Sequence, residues 1–71
     1  FDFLKRLKEK YPTISPRELD LSTYLLMNMS TKEIAEIMNI SNGGVELARY
    51  RLRKKLNLNK KENLIGFLMS I

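Results

Sequence analysis

The stretch from Ser30 to Leu56, STKEIAEIMNISNGGVELARYRLRKKL, leaves room for little besides two helices joined by a tight turn. Ser30 followed by Glu33 is a capping box, in which each side chain satisfies a backbone amide at the other's position. Ile34, Ala35, Ile37 and Met38 supply an apolar face for the short helix that follows, and Ala35 is small where a second helix would cross closely. Asn39 falls where the chain must turn, and asparagine tolerates left-handed backbone better than any residue but glycine. Ile40 plugs the corner and Ser41 can cap the next helix. From there to Leu56, Val45, Ala48, Leu52 and Leu56 keep to one stripe at helical spacing. The remaining surface of that second helix carries Arg49, Arg51, Arg53, Lys54 and Lys55. A short helix, a brief turn and a longer basic helix have helix-turn-helix geometry, which suits entry into a major groove.

The rest of the chain reads as helix as well, with no convincing strand. Asp2 to about Lys10 places Phe3, Leu4, Leu7 and Tyr11 at helical spacing, and Pro12 stops it. Ser15, Pro16 and Glu18 make a strong helix start: an N-cap, a proline at the first helical position and a capping-box acid. That helix runs through Leu19, Leu21, Leu25 and Leu26 to about Met27, ending at Asn28 with Met29 plugging the corner. Asn59 with Glu62 predicts the start of a last helix, whose main stripe is Leu64, Phe67, Leu68 and Ile71. At 71 residues this is one all-α domain near the lower size limit for a self-sufficient core. With no cysteine and no histidine, disulfides and the usual zinc sites are excluded, so helix packing must supply the stability.

Charge points to a partner. The net charge is +5, but seven basic residues and no acidic one lie between Leu47 and Lys61, and six of the eight acids precede Asn39. A lopsided cationic surface suits a polyanion on one side of the domain. On a 100° wheel with the apolar stripe inward, Gly43, Glu46, Leu47, Tyr50 and Lys54 face out, with Arg51 and Arg53 on either side. Arg51 and Lys54 are the expected phosphate contacts. Thr31 and Lys32 begin the helix that should cross the phosphate backbone, where its first amides and Lys32 can hold a phosphate. Gly43 and Gly44, unfavourable early in a helix, fit either close approach to DNA or a first turn that orders on binding. Catalysis finds no support: without histidine or cysteine a nucleophile–base arrangement would need a lysine or carboxylate partner, and no glycine-rich phosphate loop or paired-acid pattern appears. The carboxylates fall in capping boxes and on solvated faces. No run of about 18 apolar residues could span a membrane, and no signal-peptide pattern is present.

From Ile14 onward the chain resembles the LuxR/GerE-type DNA-binding domain of bacterial transcription regulators, on ISPRELDL, MSTKEIAEIMNIS, RLRKKLNL and the ENLIGFL helix. The resemblance implies a compact four-helix unit over residues 13–71, its third helix reading the major groove. Residues 1–12 are then an added helix, expected as the end of a linker from an upstream sensor domain. The missing initial methionine agrees with a piece cut from a longer protein. By resemblance Glu46, Leu47 and Tyr50 contact bases. Their chemistry permits it: Glu46 can accept from cytosine N4, Leu47 can meet a thymine methyl, and Tyr50 can reach either a base or a phosphate. The family often has lysine and histidine where this chain has Glu46 and Ala48, which implies an unfamiliar recognition sequence. Its final helix commonly pairs two copies, and here Ile65, Gly66 and Met69 are the expected dimer contacts. No cofactor or metal is implied. The expected partners are double-stranded DNA and a second copy of the chain, together with RNA polymerase and the parent's own sensor, in a cytoplasmic location. The alternative is a module related to region four of sigma factors, or a protein-interaction module on the same fold. The capped C-terminal helix favours the first reading.

Overall fold

The computed structural model describes residues 2–71; Phe1, which begins the expected linker segment, lies outside the described residues. Five helices follow one another: α1 (Asp2–Lys10), α2 (Pro16–Leu26), α3 (Thr31–Met38), α4 (Asn42–Lys55) and α5 (Leu64–Met69). There is no strand among the described residues, and no helix long and apolar enough to cross a membrane.

The expected starts are present in atomic detail. The Ser15 hydroxyl accepts from the Glu18 amide at 3.1 Å, and the Glu18 carboxylate accepts from the Ser15 amide at 2.8 Å. Ser30 and Glu33 repeat the pair at the same two distances. Ser41 caps α4 by accepting from the Gly44 amide at 3.0 Å.

The stops share one device. Asn28, Asn39 and Asn57 have φ of 60°, 58° and 61°, in the left-handed region. After each, an apolar residue sends its amide back to the last turn: Met29 to the Tyr24 carbonyl, Ile40 to Ala35 and Leu58 to Arg53. Each asparagine amide closes the inner ring, on Leu25, Glu36 and Lys54. These are Schellman ends, and Met29, Ile40 and Leu58 pack on the core as the hydrophobic half of the motif. The third was not expected from the sequence, although Asn57–Leu58 repeats the residue pattern of the other two.

The core gathers one stripe from every helix. Phe3 and Leu7 come from α1, Leu21 and Leu25 from α2, Ile34 and Ala35 from α3, Val45 and Leu52 from α4, and Leu64 and Leu68 from α5; Ile14 and Leu56 close its ends. Ser22 is also buried, its hydroxyl donating to the Glu18 carbonyl at 2.9 Å, so its polarity is satisfied. The first and last helices meet through Tyr11 and Phe67, whose rings stand edge to face at 6.4 Å. Arg6 adds a bond to the Ile71 carbonyl.

Two expectations fail. Asn59 and Glu62 do form their reciprocal bonds, but these close only a turn; the last helix starts at Leu64, capped by Asn63, whose side chain accepts from the Gly66 amide at 2.9 Å. Lys60, Lys61, Glu62 and Asn63 bring no apolar residue to bury. The carbonyls of Asn59 and Glu62 are instead taken by the Arg53 guanidinium. Ile37 does not join the apolar face of α3: it is 57% exposed. Three positions on from Ile34 it lies about 60° back around the helix, away from Ala35 and Met38.

Candidate nucleic-acid interface

α4 turns Val45, Leu52 and Leu56 into the core, with Ala48 half-buried beside them. The outward side is therefore Glu46, Leu47, Tyr50 and Lys54, all exposed, with Leu47 at 48% and Tyr50 at 54%. Lys54 lies over the Tyr50 ring, 5.4 Å from its centre, so these two form one cation–π unit on the helix surface. The helix begins at Asn42, so Gly43 and Gly44 lie in its first turn. A side chain at Gly43 would come near the Ser41 hydroxyl at 3.9 Å, whereas one at Gly44 would press on that hydroxyl at 3.3 Å and touch Ile40 at 3.4 Å.

The start of α3 lies against one flank of α4. There the Thr31 hydroxyl donates to the Glu46 carboxylate at 3.2 Å, which holds the acid toward α3. Lys32, next in line, is exposed. Below Thr31, the Ser30 backbone amide and then its hydroxyl hold the Glu33 carboxyl below the usual carboxylate range.

The other flank of α4 faces the start of α2. Between them runs an open groove of about 260 Å³ lined by Ser15, Arg17, Glu18, Leu21, Met38, Ala48, Arg51 and Lys55. Lys55 is fastened there, donating to the Glu18 carboxylate at 2.8 Å and to the Thr13 carbonyl at 3.1 Å. Burial alone would raise the Glu18 carboxyl, but the bonds from Lys55 and Ser15 outweigh it and hold it below its ordinary range.

A surface of this kind, on a capped helix-turn-helix, matches what comparison finds. Residues 12–68 fit the model of the bacterial regulatory proteins of the luxR family. The chain belongs to that family. It is 34% identical over 71 residues to the transcriptional regulatory protein MctR of Rhizobium johnstonii, a match covering 97% of this chain and 33% of the relative. It is 37% identical over 57 residues to the transcriptional regulatory protein TdiR of Thauera aromatica, covering 80% of this chain and 25% of that one. The chain thus spans a third or less of the length of these relatives. No solved structure matches it significantly. As a luxR-family helix-turn-helix domain, it is a DNA-binding domain of the transcription-regulator kind rather than an enzyme.

Within this luxR-type domain the expected base and phosphate residues lie on the outward face of α4 and on its two flanks. Glu46, Leu47, Tyr50 and Lys54 are on the outward face of α4, Arg51 beside them, and Thr31 and Lys32 across the turn. The three α5 residues divide: Ile65 is half-buried against the core, while Gly66 and Met69 are exposed, Met69 at 73%. Sequence reasoning missed Arg17 in the groove, the Thr31–Glu46 bond and the structural duties of Arg53 and Lys55. Each joins residues far apart in the chain or spans an irregular turn, where helical spacing gives no signal.

Proposed function

We propose that this luxR-family domain reads double-stranded DNA by placing α4 in a major groove, as the output module of a transcription regulator whose sensor lies in the same parent chain. The observation that carries this reading is the sorting of side chains on α4. One face is apolar, with Val45, Leu52 and Leu56 buried and Ala48 half-buried; the opposite face offers a carboxylate, an aliphatic group, a phenol and a cation together. Glu46, Leu47 and Tyr50 then meet base edges, and Thr31, Lys32, Arg51 and Lys54 meet phosphates. Met69 and Gly66, exposed on α5, supply a small surface on which two copies pair over two half-sites, with Ile65 at its edge. The exposure of Leu47 and Tyr50 also suits a contact with protein, such as RNA polymerase, and the same experiment separates the two readings.

Glu46 decides what that experiment should measure. A carboxylate near DNA repels phosphate at every sequence, and recovers that cost only by accepting from a cytosine N4 or by orienting a neighbouring Arg49 or Tyr50. It therefore rejects wrong bases more than it rewards the right one. A randomised-operator selection on wild type and Glu46→Ala should return a defined motif for the wild type, relaxed at one base pair in the variant by about 1–3 kcal/mol of discrimination. Identical motifs from both would remove Glu46 from the reading face. No motif and no salt-sensitive binding from the wild type would leave the protein-contact reading standing.

A further inference from the structure

We propose a second phosphate site on the far flank of α4, made by Arg17 and Arg51 across the groove between α2 and α4; it rests on the DNA-reading function above. A helix lying in a major groove, roughly 12 Å wide, has a phosphate backbone along each side. The Thr31–Glu46 bond fixes the start of α3, with Lys32, on one flank of α4. Counting 100° per residue, Arg51 lies about 140° round the helix from Glu46, on the opposite flank. The element packed there is the start of α2, and Arg17 is the cation it brings to the shared groove, beside Glu18 and Leu21. The two anchors therefore address the two strands.

The charges in the groove favour an anion. Its one carboxylate, Glu18, already holds Lys55 at 2.8 Å and the Ser15 amide at 2.8 Å, so it is neutralised where it stands. Among the described residues no acid pairs with Arg17 or Arg51, and both are exposed. Behind them lies an apolar floor of Leu21, Met38 and Ala48, which excludes water from one side and strengthens an ionic contact. Planar guanidinium groups match phosphodiester oxygens better than an ammonium does, since each can donate two parallel bonds. The group expected in the groove is one backbone phosphate of the strand that Lys32 does not touch.

The test is a titration of the 71-residue chain against its selected duplex, using a set of duplexes in which single phosphates are replaced by neutral methylphosphonates. Arg17→Ala should weaken binding equally on matched and mismatched DNA and lower the log–log salt slope by about one unit. One methylphosphonate should weaken the wild type and leave Arg17→Ala unaffected. It should lie on the strand opposite the phosphate that Lys32→Ala identifies in the same way. Arg17→Lys should keep the salt slope but bind more weakly than wild type. An unchanged slope in Arg17→Ala, or a phosphate on the same strand as that of Lys32, overturns the second site and leaves the function intact. A wild type that shows no salt-dependent binding to any duplex overturns both.

Discussion

The outward side of α4 and the flanks of its last turn carry the same kinds of basic side chain, arginine and lysine, yet use them differently. Beside the outward face no acid among the described residues pairs with Arg51, and on it Lys54 lies over the Tyr50 ring. In the last turn Arg53 reaches the carbonyls of Asn59 and Glu62, and Lys55 reaches Thr13 and Glu18. The difference follows from what lies nearby. Residues 59–62 form a turn with carbonyls left over from any helix, and the loop before α2 leaves the Thr13 carbonyl open; long cations fill both needs. A run of positive charge is therefore two systems, one that fastens the fold and one that the proposed function assigns to phosphates.

The largest effect should come from the fastening system. Arg53→Ala removes bonds from a charged donor to two carbonyls, and should cost about 2 kcal/mol. Thermal unfolding should then shift down by on the order of 10 °C, with no change in the salt slope of DNA binding. A reduced slope would move Arg53 into the second system and erase the distinction. The converse variant, Arg51→Ala with Lys54→Ala, should unfold at the wild-type temperature yet bind every duplex about tenfold more weakly. Its log–log salt slope in fluorescence anisotropy should be flatter by up to about two units. An unchanged slope would take both residues off the phosphates.

The smallest effect sharpens the role of Lys55. Because the folded Glu18 carboxyl sits below its ordinary value near 4.5, the pair stabilises the fold at neutral pH. That contribution is fully present above the unfolded value and is lost as pH falls through the lowered folded one. Glu18→Gln keeps a capping side chain, so the gap between variant and wild type isolates the ion pair. The gap should be under about 1 kcal/mol at pH 7 and close on acidification below pH 4.5. A gap that does not change with pH would mean that Glu18 acts only as a cap.

What could be read from the sequence was what closes locally. Ser15 with Glu18 and Ser30 with Glu33 define their helices because both partners of each bond lie within one turn, and an apolar stripe follows at once. Asn59 with Glu62 has the same spacing and forms the same bonds, but with no apolar residue behind it there is nothing to bury and no helix. Asn57 with Leu58 repeats the stop of Asn28 with Met29 and Asn39 with Ile40, and its bonds close just as locally. For the candidate interface, the wheel was enough to place Glu46, Leu47, Tyr50 and Lys54 on the outward face. It could not show that Thr31, fifteen residues earlier, holds Glu46, nor that Arg17 shares a groove with Arg51.

The three asparagine-ended helices bear on how quickly the chain can find its structure. From Ser15 to Leu58 every helix begins and ends on bonds that reach no more than five residues along the chain, as from Met29 back to Tyr24. Closing such short loops costs little entropy, so each helix and its stop can form and dissolve before any distant pairing is required. The conformational search then reduces to docking a few preformed rods, and folding belongs in the microsecond-to-millisecond range of small helical proteins.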